Sequence, residues 1–212
     1  MVLNEAAKRL GVSMRQTEDQ LTRDMLASTA AFINCVNGVN GDNPTNITRD
    51  DINEAVRTLL GSDAKTLLDG IPGEDRFGTA PVRDAFFAMC STDLISNLDG
   101  VAGFLQKTAY PSPMRGLPSE WGAVGSLRFL VSSVGSTVPA GSHLGATVYN
   151  IFCVDMEAYG CIKQDGYTAS FVYRDPMYDG PLAQNSTVAF KMAQVPRILN
   201  DLWVLNLRAT LA

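Results

Sequence analysis

The chain has one histidine, His143, and Ser142 precedes it. A serine nucleophile needs an imidazole base, and the base needs an orienting carboxylate. Neighbours in sequence rarely meet in that geometry, and no Gly-x-Ser-x-Gly turn presents a serine here. Gly135, Gly141 and Gly145 surround the pair. A phosphate loop would need Lys and Ser or Thr after its last glycine, and the dinucleotide fingerprint fails on spacing. These glycines are expected to serve flexibility. Asp50, Asp51 and Glu54 could offer oxygens to a divalent cation. They follow Thr48, however, and negative charge at a helix start explains them with fewer assumptions. Asp175 and Asp179 lie in a segment with Pro176 and Pro181, which predicts a turn. Cys35, Cys90, Cys153 and Cys161 lack zinc-site or redox-pair spacing. All four lie in apolar stretches and are expected to be reduced, buried thiols. No catalytic, cofactor-binding or metal-binding residue is assigned, and no enzyme activity or cofactor is expected.

The 212 residues are enough for one large domain or two small lobes. Charged residues make up 18%, below the roughly 25% usual in soluble domains. Either neighbouring subunits cover part of the surface, or the surface is neutral and rich in Asn, Ser and Thr. The net charge is −5, and the 17 Lys and Arg residues are scattered, with no run longer than Lys8-Arg9. Sequence-directed nucleic-acid binding, which needs a basic stripe, is therefore not expected. Asn46-Ile47-Thr48 and Asn185-Ser186-Thr187 match the glycosylation sequon, but nothing else points to secretion. The N-terminus lacks the basic start and apolar run of a signal peptide. No apolar stretch is long enough to span a membrane.

Leu10, Met14, Thr17, Leu21, Met25, Ser28, Phe32 and Cys35 recur at three- and four-residue steps. They predict a long helix over 13–36, with Ser13 as N-cap and Gln16 as its capping-box partner. About 22 helical residues reach about 33 Å. Residues 37–46 are turn-rich. Thr48 is expected to cap a second helix that buries Ile52, Ala55, Val56, Leu59 and Leu60. Strands are predicted at 85–89, 127–131 and 147–154, with a helix capped by Thr92 or Asp93 between the first two. A Pro-rich loop (Pro111, Pro113, Pro118) precedes the second strand, and a mobile Gly/Ser/Thr loop at 132–145 follows it. Asp155 is expected to start a short helix through Cys161. After Gly166 the period becomes two, through Tyr167 and Tyr173, Val188 and Met192, and Trp203 and Leu207. Trp121, Phe129, Tyr149 and Tyr159 are candidate core or interface anchors.

Four stretches in series carry a family resemblance: Gly78 to Met89, Trp121 to Ser132, Phe152 to Gly160, and Asp179 to Gln184 with Lys191 soon after. Their order and spacing resemble the major capsid proteins of tailed bacteriophages, in particular the N-four-type coat-protein family. The resemblance runs from near residue 4 to the C-terminus. It implies an α+β tailed-phage capsid fold. A peripheral lobe would hold a long spine helix and long strands, and an axial lobe would sit at the capsomer centre. On this chain it implies 1–46 as the spine-helix part of the peripheral lobe, 47–162 as the axial lobe, and 163–212 as the peripheral β-strands. Family members carry an N-terminal arm and an extended loop before the spine. Those segments are expected to be missing here, which would leave a monomer or small oligomer rather than a closed shell. The implied function is structural: hexamers and pentamers of an icosahedral shell enclosing DNA without gripping its sequence. Implied partners are copies of itself, with scaffolding or portal proteins, and no membrane. The implied location is the virion, and the host cytoplasm during assembly. A shell of a related encapsulating compartment is the alternative, and an unrecognised enzyme a lesser one.

Overall fold

In the computed structural model, the described residues are 2–28, 31–66, 85–110, 117–138, 146–163, 170–176, 182 and 185–211. They form an α+β protein that divides into two compact units. The smaller holds 1–22 and 160–197; the larger holds 23–159 and 198–212.

The larger unit is built on a nine-stranded mixed sheet. Its path runs β2 (Val39–Asn40), β1 (Phe32–Val36), β13 (Val204–Thr210), β8 (Val148–Val154), β3 (Phe86–Ser91), β6 (Leu127–Ser132), β5 (Glu120–Val124), β4 (Leu105–Gln106), with β7 (Thr137–Val138) paired to β8. β1 runs parallel to β13 and β3 parallel to β6, while β13 and β3 are antiparallel to β8. Every residue of β8 is buried, as in a sheet covered on both faces. On one face Tyr149, Ile151 and Cys153 join Leu205, Leu207 and Phe129 in the main core. On the other, Phe152 and Val154 pack with Val204, Ala158 and Leu26.

Helix α2 (Arg49–Gly61) lies on the main core and buries Ile52, Ala55 and Leu59. Thr48 caps the helix as expected, and Asp51 completes a capping box with it. Asp51 also accepts the Gly38 N–H at 2.6 Å, joining the helix start to the β1–β2 turn. Asn37 and Gly38 both have positive φ there (52° and 81°), the backbone of a type I′ hairpin turn. Leu60, expected to be buried, is 54% exposed, because it points away from the Ile52 face.

The first helix, α1, spans Val2–Ala27 rather than 13–36. Ser13 is inside it, and its carbonyl accepts the Thr17 hydroxyl. The run Phe-Ile-Asn-Cys-Val leaves the helix and pairs with β13. Phe32 and Cys35 fit the helical spacing by coincidence, and a β-rich run with a strand partner prevails. This pairing, and that of β13 with β8, places 23–46 and 198–212 with the middle of the chain. The unit boundaries therefore differ from the expected divisions after residues 46 and 162.

Other local expectations are corrected too. Ser91 caps the turn at Thr92–Leu94 that leads into α3 (Ile95–Asp99), in place of Thr92 or Asp93. After Asp155 comes a turn and then β9 (Tyr159–Lys163), not a helix, since β9 has a strand partner in β12 (Gln194–Ile198). Trp203 closes a short 3-10 turn before β13. β10 (Ser170–Arg174) and β11 (Thr187–Lys191) form an antiparallel ribbon in the smaller unit; Met192 lies beyond it, and Tyr167 lies outside the described residues.

Candidate assembly surfaces and the buried ion pair

Among the described residues, those weighed above for chemistry do not converge. Ser142, His143, Gly141, Gly145, Asp179 and Pro181 lie outside the described residues. Gly135 is not a flexible hinge: a Cβ there would sit 2.6 Å from Ser91 Cα, so it permits close backbone approach. Residues 137–138 of the expected mobile loop form β7. Asp51 is committed to the Thr48 cap and to Gly38. Among the described residues no cluster of His, Cys, Asp and Glu could hold a metal ion.

Three thiols, Cys35, Cys90 and Cys153, are buried in the main core, and burial raises all three pKa values, that of Cys90 to about 12. Cys161 is exposed, contrary to expectation, because its strand β9 lies in a two-stranded sheet. One thiol of four should therefore react within minutes with a thiol reagent in the native state, the others only on unfolding. Fast labelling of two or more would contradict the burial.

Sequence reading missed the one buried ion pair among the described residues. Glu120 and Arg128 face each other across the β5–β6 hairpin, with side chains 0% and 6% exposed. The contact is bidentate, with Nε to Oε1 at 2.7 Å and Nη2 to Oε2 at 2.5 Å. Tyr110 donates its hydroxyl to the same carboxylate at 2.8 Å, and the Leu117 N–H donates at 2.8 Å. Burial alone would raise the Glu120 pKa; the bonds from Arg128, Tyr110 and Leu117 outweigh it and hold the carboxyl below its ordinary value. The signal was a charged residue inside the apolar run Leu127-Arg128-Phe129, with a carboxylate across the turn. Nearby, the Trp121 indole donates to Asp99 at 2.8 Å at the surface, whereas Phe129 and Tyr149 are core residues.

The smaller unit has the opposite character. None of the buried apolar residues lies in 1–22 or 160–197 among the described residues. Cross-strand pairs Phe171–Phe190 and Tyr173–Val188 share one face of the β10–β11 ribbon. Phe171 is 51% and Tyr173 46% exposed, and Val172 on the other face is 46% exposed. Leu3, Val12 and Leu21 of α1, Ile162 and Val195 are exposed as well. A two-stranded ribbon alone in water is marginal at best.

No family model and no curated protein sequence matches the chain. Solved structures do. Over 99% of this chain and 68% of the other, it superposes on a chain of the capsid of Ralstonia phage GP4, with TM-score 0.69 and 14% identity. A chain of the head of Helicobacter pylori bacteriophage KHP40 gives TM-score 0.62 and 11% identity, with 99% of this chain and 68% of that one covered. An encapsulin complex from Synechococcus elongatus gives 0.54 and 13%, covering 94% and 62%. The chain thus has the fold of phage capsid subunits, which a compartment shell shares.

Proposed function

We propose that the chain is a structural subunit of an icosahedral bacteriophage shell, building hexamers and pentamers around a DNA genome. The larger unit is read as the axial lobe and the smaller as the peripheral lobe. The observation that carries the reading is the contrast between the units. Both units expose some apolar side chains, but all described buried apolar residues belong to the larger one, so the exposed Phe171, Val172 and Tyr173 of the smaller have no described core beside them in their own unit. Such surface becomes favourable only when covered, at roughly 25 cal/mol per Å². Copies of the same chain, repeated by symmetry, would cover it. The capsid fold and the low charge fraction support the same reading. A structural role leaves no catalytic task for the chain. Scaffolding and portal proteins are further partners on this reading, the virion its destination, and the host cytoplasm the place of assembly.

Sedimentation velocity and electron microscopy across micromolar concentrations test this. Concentration-dependent oligomers with five- or six-fold views are expected. A strict monomer at every concentration would sink the reading. Particles that enclose a protein cargo instead of DNA would favour a compartment shell, the reading that the encapsulin likeness keeps in play.

Hydrogen exchange gives a local version of the test. Amides of β10 and β11 should exchange at near-open rates in dilute chain and slow by about tenfold or more on association. Ordering costs about 1–2 kcal/mol per residue, and this ribbon buries too little to offset that alone. Equal, strong protection of β8 and β10 in dilute chain would contradict it.

A further inference from the structure

Arg208 is a cation without a described anion. It lies on β13, opposite Asn34 of β1 and Asn150 of β8, so all three share one sheet face. Asn206 follows the same face two residues earlier. Asn34 and Asn206 are 5% and 1% exposed, and their Oδ1 atoms have no hydrogen-bond partner. Their amide nitrogens are already committed, to the Gly41 carbonyl and to Asn150 Oδ1. The Arg208 guanidinium stacks 3.9 Å from the centre of the Phe32 ring, and Phe32 is 40% exposed. Its Nε is buried without an acceptor. The row beside it is neutral, and burial lowers its pKa.

We propose that Arg208 is a docking point for a side-chain carboxylate of a second copy of this chain, an inference that rests on the shell-subunit reading. Contact with the Phe32 ring restrains the guanidinium, so less further order is lost when a planar acceptor meets it. Carboxylate and phosphate both match a guanidinium fork. The carboxylate is favoured by supply: every copy of this chain brings 22 acidic residues, and a net charge of −5 repels a densely charged polyanion far more than another copy. The pair would set the register of the contact more than its strength, because desolvation offsets much of the attraction.

The test uses the full chain with R208Q and R208K. R208Q is expected to weaken self-association at least about tenfold by sedimentation, with circular dichroism and melting close to wild type. R208K supplies an amine at the same place and guards against misfolding of R208Q. In a mixture of 15N-labelled and unlabelled R208K chains, zero-length carbodiimide coupling should join the residue-208 peptide to an Asp or Glu peptide of mixed isotope. Wild-type-like association of R208Q, or coupling at 208 only within one chain, overturns the inference and leaves the shell reading standing. Unchanged association with lost retention of a DNA fragment assigns the site to phosphate and also overturns it. Failure of the wild type to associate at all removes the shell reading, and this inference with it.

Discussion

Replacing Glu120 with alanine should lower the stability of the larger unit by about 3–5 kcal/mol, because it strands Arg128 as a buried, unpaired charge. Four hydrogen bonds end on this carboxylate, so the loss reaches beyond the ion pair. The Tyr110 hydroxyl and the Leu117 N–H lose their acceptor at the same time. Urea unfolding measures it, as a lower midpoint at unchanged slope. The double variant E120L/R128M removes both charges and should recover most of the loss, since an apolar pair of similar volume is often neutral or better. The pH dependence has a fixed sign. The folded carboxyl titrates below its unfolded value, ordinarily about 4.3. Its contribution is full above that value and is lost as pH falls through the depressed folded one. Wild type should therefore lose stability on acidification below about pH 4 more steeply than E120L/R128M. A double variant as unstable as E120A would show that the network holds the hairpin by its geometry, not by charge pairing.

Elements with self-contained signals were legible in the sequence. Thr48, with acidic residues just after it, announces α2, and the structure forms that cap, with Asp51 closing it into a box. Val148–Val154 is apolar throughout but for Asn150, and it becomes the buried centre of the sheet. The errors fall where a long-range partner decides. Phe32–Val36 satisfies both helical spacing and strand propensity; β2 pairs with its end, and β13, some 170 residues away, pairs with Phe32, Ile33 and Asn34. Tyr159–Lys163 is likewise settled by β12, whose Pro196 weakens the strand signal. The Glu120–Arg128 pair stayed hidden because reading runs of apolar residues passes over a single charge within them. The division into two compact units likewise depends on pairings between residues far apart in sequence. The parallel pairing of β1 with β13 and the antiparallel pairing of β13 with β8 leave no trace in local periodicity. The capsid fold itself was carried by the four spaced stretches. Three of these overlap strands of the central sheet: 78–89 reaches into β3, 121–132 covers β6 and all of β5 but Glu120, and 152–160 holds the end of β8.

Phe129→Ala and Phe171→Ala should have opposite consequences, and the contrast separates what folds the chain from what assembles it. Phe129 is fully buried, with the Phe104 ring centre 6.4 Å away. Truncating it leaves a cavity in the main core and should cost about 3–5 kcal/mol. Under conditions where F129A remains folded, its association should match wild type, since the ring touches no outer surface. Phe171 is half exposed on the ribbon and faces Phe190 across the strand pair. A cross-strand pair of this kind contributes about 0.2–1 kcal/mol, so F171A should barely move the unfolding midpoint of dilute chain. In an assembly the same ring would be desolvated between copies. Aromatic anchors of that kind can account for about 2 kcal/mol or more when truncated, so F171A should raise the dissociation constant by about tenfold or more. Unfolding in urea and sedimentation on the same samples read both effects. A stability loss for F171A as large as that for F129A would mean that the ribbon belongs to the chain's own core. A normal dissociation constant for F171A would remove the ribbon from the contact surface, and the burden of assembly would pass to α1 and the sheet face around Arg208.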